Sequence, residues 1–334
     1  MGVELGNQSN LRIVLAGSVM STRWTLAGLL RHNMNLVGVL GLSGAKSGSV
    51  SGYDRISQLP AERGIEYCEF ENINDHHVLK QVSNWRPDVL FVVGLSQIVR
   101  GQLLGIPRLG CVGFHPTRLP KGRGRAPISW ILLDKVPAAA TFFEMNEGID
   151  SGPILVQEPF DVNSEDYASD VIRRLQVATD RALDRLLPEL SLGHFSGVPQ
   201  SENEATYYGR RAPEDGLIDW ALSAASICLL VRASSRPYPG AFTFVKGRKL
   251  SIWRARVEDS SRFKGVPGRL LDHKPSQGWL VQTGEGLAMI EEWEFAPSGV
   301  HGNPDLRIGT KLGIDLSQMW FLQNSSERSV TYEP

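Results

Sequence analysis

Residues 89–94, Val-Leu-Phe-Val-Val-Gly, form a near-continuous apolar run introduced by Pro87-Asp88. A run with no polar alternation offers no face to water, so it predicts a strand covered on both sides, the kind found in parallel sheets sandwiched by helices. The first 190 residues repeat the theme. Leu11 to Gly17, apolar apart from Arg12, reads as a central strand broken at Gly17-Ser18, and helical apolar spacing follows through Leu26, Leu29 and Leu30. Leu36 to Leu42 predicts the next strand, Arg55 to Arg63 a helix, Ile65 to Phe70 a short strand and Val78 to Trp85 a helix. Further strands are expected over Leu109 to Phe114 and Ala139 to Met145. Ile172, Leu175, Ala178, Ala182 and Leu186 recur at helical spacing with charges between them, which makes Asp166 to Leu190 a surface helix. Strands alternating with helices predict an α/β, Rossmann-like domain with a mostly parallel sheet.

The Ser/Gly-rich stretch 43–52 is expected to be a mobile loop, readable either as a surface connection or as a lid over the same sheet edge. The chain turns polar at 195–212. Beyond it, Asp219-Trp220 precedes a helix over Ala224 to Arg232. The segments Phe242 to Val245, Leu250 to Val257, Gly268 to Leu271, Leu280 to Thr283 and Leu287 to Ile290 are short and punctuated by Gly and Pro. That spacing predicts a small, OB-like β-barrel. The expected organisation is a Rossmann-like catalytic domain over 1–200 and a linker helix plus barrel over 201–334, consistent with about two domains for this length.

Composition narrows the partners. The chain is 42% hydrophobic and 21% charged with a formal net charge of −1, so no overall field favours nucleic acid or an anionic membrane. Residues 201–334 carry 16 Lys+Arg and 16 Asp+Glu, a balance that argues against a basic nucleic-acid-binding module. Cys68, Cys111 and Cys228 lie far apart, as expected of a reduced protein, and neither they nor the histidines have metal-ligand spacing. With no 18-residue apolar run and no signal-peptide core, a cytoplasmic protein without metal or membrane contact is expected. A homodimer through the barrel region remains open.

The chemistry concentrates at 111–130, Cys-Val-Gly-Phe-His-Pro-Thr-Arg-Leu-Pro-Lys-Gly-Arg-Gly-Arg-Ala-Pro-Ile-Ser-Trp. The apolar run delivers His115 at its end. Pro116, Pro120, Gly122 and Gly124 then stop regular structure, leaving Arg118, Lys121, Arg123 and Arg125 in a loop before a helix from Ala126. A histidine at a strand's C-terminal end, beside a basic loop, sits where open α/β sheets keep their ligand crevice. Glu147-Gly148-Ile149-Asp150-Ser151-Gly152 places a carboxylate on a turn that could reach back to His115 and tune it as an acid or base. A nicotinamide site is poorly supported, because no G-x-G-x-x-G follows the first strand.

The pattern H-P-T-x-L-P-x-x-R-G-R-A-P at His115–Pro127, followed by Gly148-Ile149-Asp150-Ser151-Gly152-Pro153-Ile154-Leu155, resembles the formyltransferase family that uses N10-formyltetrahydrofolate. Within it the nucleotide-sugar N-formyltransferases are most similar, on the further evidence of Glu202-Asn203-Glu204-Ala205-Thr206, Tyr208-Gly209-Arg210-Arg211 and Pro237-Tyr238-Pro239-Gly240-Ala241-Phe242. The resemblance implies His115 and Asp150 as catalytic, with Thr117 as a candidate oxyanion donor. It implies that Gln97, Ile98, Val99, Arg125, Asn146, Glu147, Gly148 and Ile149 contact the folate. Trp130, Tyr208, Arg210 and Arg211 are then candidates for framing a nucleotide-linked amino sugar. Such a protein moves a formyl group to an amine, which requires a neutral amine, oxyanion donors and a proton acceptor.

One position departs from the family. Two residues before the histidine the family has an oxyanion-donating Asn, and here stands Gly113. Thr117, Gln97 or a backbone N–H could substitute, and a water or the substrate could fill the Asn volume. Methionyl-tRNA formyl transfer, or a binding-only relative without turnover, are the alternatives that Gly113 and the resemblance leave open.

Overall fold

The computed structural model describes residues 10–260, 262–297 and 305–314. The chain divides into two compact units, Met1–Arg211 and Ala212–Pro334. Segment 201–211, which the polar composition sets with the second half, packs with the first unit.

In the first unit β1 (Arg12–Gly17), α1 (Met20–Arg31), β2 (Asn35–Leu42), α2 (Gln58–Glu62), β3 (Tyr67–Phe70), α3 (His76–Trp85), β4 (Val89–Val92) and α4 (Gly101–Leu104) follow the expected alternation. They lead to β5 (Gly110–Thr117), β6 (Arg123–Gly124), α5 (Pro127–Leu133), β7 (Ala138–Glu144), β8 (Ile154–Pro159), α6 (Ala168–Ser191) and β9 (Tyr207–Tyr208). The main sheet has the order β3-β2-β1-β4-β5-β7-β8. Pairing is parallel from β3 through β5 and antiparallel from β5 to β7 and β7 to β8. β8 has no counterpart in the sequence reading. It is half-buried and pairs by hairpin with β7, so its apolar pattern is short and interrupted.

Burial explains why the apolar runs are legible. Ile13, Val14, Leu15, Val89, Leu90 and Phe91 are all fully buried, as a strand covered by helices on both faces demands. Each such side chain contributes about 1.5–3 kcal/mol on leaving water. α6 lays Val171, Leu175, Ala178, Ala182, Leu186 and Leu190 toward the core and packs on α1, β7 and β8.

Two local expectations change. The helix expected over Arg55 to Arg63 is only Gln58–Glu62, because Tyr53 bridges to Val19 and Asp54 pairs with Arg23, which holds the preceding residues extended. Stretch 43–52 contains a 3-10 helix, Gly44–Ser49, and Val50 and Tyr53 at its end pack against the core.

The second unit holds α7 (Ala224–Ser234), capped by the Ser223 hydroxyl, which accepts the Ser226 N–H at 3.2 Å. Its face of Ile227, Cys228 and Val231 is buried, and the helix packs on the antiparallel sheet behind it. That sheet comprises β10 (Ala241–Val245), β11 (Arg248–Glu258), β12 (Leu270–Lys274), β13 (Gly278–Gln282) and β14 (Leu287–Phe295), in the order β10-β11-β14-β13-β12. It is the C-terminal β unit that the short, punctuated segments predict. Among the described residues no helix is long and apolar enough to cross a membrane.

Candidate active site

β5 runs two residues beyond the end expected at His115. Pro116 cannot donate to the ladder, so the register with β7 slips between His115 and Thr117 and pairing resumes at Thr117 and Ala138. His115 therefore lies inside the strand, 4% exposed, opposite Thr141. Its Nε2 lies 2.8 Å from the Gly122 carbonyl oxygen, which can only accept, so Nε2 carries the proton of that bond. Nδ1 faces the Asp150 carboxylate at 3.5 Å. A neutral ring thus turns its lone pair toward Asp150. A proton arriving there is held between an imidazole and a carboxylate.

Asp150 is fixed by its surroundings. It sits in the left-handed region at φ 49°, a conformation asparagine and aspartate tolerate better than most residues. Its Oδ2 accepts the Gly124 N–H at 2.9 Å. Gly124 itself has φ 109°, and a Cβ there would lie 2.3 Å from the Tyr208 carbonyl oxygen, so only glycine fits between Asp150 and β9. From behind, the Gln200 amide donates to the carbonyls of Asp150 and Gly152 at 2.8 and 2.7 Å.

Arg123 anchors Gln200. The sequence places it in a basic loop, yet its side chain is 0% exposed. The guanidinium donates to Gln200 Oε1 at 3.2 and 3.0 Å, to both Glu202 oxygens at 2.8 and 2.9 Å, and to the Tyr207 hydroxyl at 2.6 Å. Burial works against the charge, but the hydrogen bonds to Glu202 and Tyr207 outweigh it and hold the pKa above the ordinary arginine value. Arg123 and Gln200 are the residues that sequence reasoning missed. Arg123 stood in the quoted motif without a role, and Gln200 has no local signal.

The Gly113 position is not open. A Cβ there would meet Phe143 Cζ at 2.6 Å and Met145 Cγ at 2.9 Å. Phe143 pairs directly with Gly113 across β5 and β7, so its ring occupies the space a side chain would need. The expectation that water or substrate fills this volume is corrected accordingly. Of the candidate substitutes, Thr117 is committed elsewhere and Gln97 keeps one amide N–H. The fully buried Thr117 hydroxyl donates to the Lys121 carbonyl at 2.7 Å, which removes it from the crevice. The Gln97 amide accepts the Ile73 N–H at 2.7 Å and donates to the Glu71 carbonyl at 2.7 Å, tying down the loop after β3.

The residues expected along a folate fall on neighbouring loops. Arg125 donates to the Ser96 carbonyl at 2.9 Å, bringing the 123–125 segment against the loop after β4. A Cβ on Gly101 would lie 3.1 Å from a Glu147 carboxylate oxygen, so the 146–149 turn reaches the same loop. Asn146 shapes that turn, its Oδ1 accepting the Gly148 N–H and the Ser151 hydroxyl, each at 2.9 Å. Ile98 and Ile149 leave 74% and 57% of their surface exposed at the tips of the two loops, whereas Val99 is buried in the core. Two uncovered apolar side chains beside open backbone and Arg125 fit a flat heteroaromatic body with an anionic tail.

Beside the β6–β9 ladder, the Trp130 ring lies 5.2 Å from that of Tyr208, and the Arg211 guanidinium sits over it at 5.5 Å. Trp130 Nε1 donates to the Gly209 carbonyl at 3.0 Å, and the Tyr208 hydroxyl donates to Asp134. Arg210 is exposed beside them. Trp130 thus meets Tyr208 and Arg211 from a segment far away in sequence, while Arg210 is brought to the cluster only by its place in the chain between them. Among the described residues no group of three or more His, Cys, Asp or Glu could hold a metal ion.

The family described as Formyl transferase matches residues 16–187, and Formyl transferase, C-terminal domain, matches residues 211–298. A methionyl-tRNA formyltransferase from Alkaliphilus oremlandii is 28% identical over 305 residues, covering 90% of this chain and 97% of that protein. Among solved structures, WlaRD, a sugar 3N-formyl transferase crystallised with dTDP and 5-N-formyl-THF, has a TM-score of 0.62 at 15% identity, covering 86% of this chain and 98% of that one. HypX from Aquifex aeolicus in complex with tetrahydrofolic acid has a TM-score of 0.60 at 17% identity over 84% of this chain. The chain spans 44% of the length of HypX.

Proposed function

As a member of the formyl transferase family this chain is a formyl-transferring enzyme that uses formyltetrahydrofolate, and we propose that its acceptor is the amino group of a nucleotide-linked amino sugar. The observation that carries the choice of acceptor is the Trp130–Tyr208–Arg211 cluster, a stacking surface with a cation on its face, next to the exposed Arg210. Aromatic rings suit a base, and arginines suit a diphosphate. The balanced charge of residues 201–334 lacks the electrostatic footprint of tRNA binding.

The bound donor supplies one carbon at the oxidation level of formate. The acceptor nitrogen adds to that carbonyl carbon to give a tetrahedral oxyanion; as this collapses the bond to N10 breaks, the amine loses a proton and N10 takes one up, so that the products are a formamide and tetrahydrofolate. His115 and Asp150 form the acceptor for the amine proton. With Nε2–H held by the Gly122 carbonyl, uptake occurs at Nδ1 against the carboxylate. Ile98, Ile149 and Arg125 line the donor, and the loops 97–99 and 146–149 offer it backbone groups. Because Phe143 fills the Asn volume and the Thr117 hydroxyl proton is committed, the second Gln97 amide N–H and a backbone N–H are the oxyanion donors that remain of those considered.

Methionyl-tRNA is the second reading, favoured by the Alkaliphilus relative. Formyl-transfer assays with N10-formyltetrahydrofolate and a panel of UDP-, dTDP- and GDP-linked amino sugars, run beside methionyl-tRNA, separate the two. Turnover on one sugar, lost by about 100-fold or more in His115→Ala and Asp150→Ala, is the expected result. Turnover on methionyl-tRNA alone would replace the acceptor, and folate binding without any turnover would leave a binding protein.

A further inference from the structure

The network behind Asp150 has no part in the reaction as described above, yet it is the most heavily hydrogen-bonded buried charge in the crevice. Arg123 has no exposed surface, and its guanidinium is divided among Gln200, Glu202 and Tyr207. Gln200 then spends its oxygen on Arg123 and its nitrogen on two backbone carbonyls, those of Asp150 and Gly152. An amide whose oxygen is held by a cation has its N–H donors set in direction, because the group is planar. Those donors grip the residue in the left-handed turn whose carboxylate accepts from Gly124 and faces His115. Polarisation runs one way along this chain: cation, amide oxygen, amide nitrogen, carbonyl of Asp150.

We propose that Arg123 and Gln200 are positioning residues, which hold the Asp150 backbone so that its carboxylate stays against His115 and the Gly124 N–H. The proposal rests on the reading of His115 and Asp150 as the proton-accepting pair. Arg123 has no exposed surface and both Gln200 amide donors are taken up by backbone carbonyls, so both residues act through Asp150 and not on the reacting atoms. Their contribution is geometric, and a displacement of about 1 Å at a reacting group is worth about 100-fold in rate.

Two substitutions at Gln200 separate positioning from simple packing. Gln200→Leu removes both halves of the amide. Gln200→Glu keeps and strengthens the contact to Arg123 but, ionised at neutral pH, offers no donor to the Asp150 and Gly152 carbonyls. If Gln200 only satisfied Arg123, Gln200→Glu would behave as wild type. The positioning role predicts that both variants lose about 10–100-fold in kcat with KM for N10-formyltetrahydrofolate within about twofold. It also predicts faster hydrogen exchange at the Gly124 amide, read by NMR, because the carboxylate that protects it has moved. Arg123→Lys, which keeps the charge but loses the guanidinium fork, is expected to show the same pattern.

The comparison uses the full chain, with His115→Ala as the reference. Gln200→Glu with wild-type kcat and unchanged Gly124 exchange overturns the proposal, and it does so even if Gln200→Leu fails to fold. His115→Ala with undiminished turnover removes the catalytic reading instead. Gly124 exchange then decides alone whether Gln200 holds Asp150.

Discussion

Restoring the family's asparagine by Gly113→Asn is expected to damage this protein. The new Cβ would stand 2.6 Å from Phe143 Cζ and 2.9 Å from both Phe143 Cε1 and Met145 Cγ, inside the distances real side chains tolerate. Phe143 is 4% exposed and paired with Gly113 across two central strands, so its ring has little room to retreat. Overpacking of this kind costs about 1–3 kcal/mol. In a unit of this size each kcal/mol moves Tm by about 2–4 °C, so Gly113→Asn should melt about 2–12 °C below wild type. Phe143→Leu alone leaves a cavity and costs about 1–2 kcal/mol. In the double variant the Asn side chain enters the space vacated by the ring, so the two costs should not add. A favourable coupling of about 0.5–3 kcal/mol is expected from urea denaturation of the four proteins. The activity of the double variant should exceed that of Gly113→Asn, since the amide then reaches the crevice without displacing β7. Wild-type stability in Gly113→Asn, with no coupling to Phe143→Leu, would refute the argument that Phe143 has taken the volume.

Trp130→Ala should raise KM for the nucleotide-linked sugar by about tenfold, with little change in KM for the folate, because a stacked aromatic ring is worth about 1–3 kcal/mol per base. Steady-state kinetics with each substrate varied in turn checks this, and an unchanged sugar KM would reduce Trp130 to a packing residue. The Glu258 carboxyl is held below the ordinary glutamate range by hydrogen bonds from Lys274 and Arg256, the former the larger influence, which together outweigh its desolvation. A depressed carboxylate contributes stability above its unfolded value of 4.5, and that contribution fades as pH falls through the lower folded value. Glu258→Gln should therefore be less stable than wild type at pH 7 and should converge with it once the pH has fallen through the depressed folded value, as followed by denaturant melts across pH. Burial pushes the Cys111 thiol up to about 12, so it should resist a disulfide reagent at pH 8 in the folded protein and react only on unfolding. Mass spectrometry of the labelled peptides makes that distinction.

The lengths over which information is carried separate what was legible in the sequence from what was not. Apolar runs at Ile13–Ala16 and Val89–Val93, too short for a buried helix, point to strands covered on both faces, and their side chains are buried throughout. The three-to-four spacing of Leu175, Ala178, Ala182 and Leu186 declares α6, because a helix must turn that stripe inward. The motif at His115–Pro127 and the later Asp150 turn identified the family, and the chain meets itself there: His115 and Asp150, 35 positions apart, stand 3.5 Å from each other.

Tertiary structure alone decided which polar groups are free to act. Gln200 reaches Asp150 across 50 residues and Arg123 across 77, and nothing local to either segment encodes the encounter. Arg123, Arg118 and Arg125 look alike in a basic loop. Only the arrival of Gln200, Glu202 and Tyr207 makes one of them a buried anchor, because a guanidinium can leave water only where partners take up its donors. Thr117 and Gln97 have the right chemistry for an oxyanion, but the fold spends the single hydroxyl proton of Thr117 on Lys121 and leaves Gln97, held by Ile73 and Glu71, one amide N–H to offer. The glycine at 113 could have signalled an open space or a filled one. The neighbouring strand filled it, since a close-packed interior leaves no side-chain volume empty when a ring such as Phe143 can reach it.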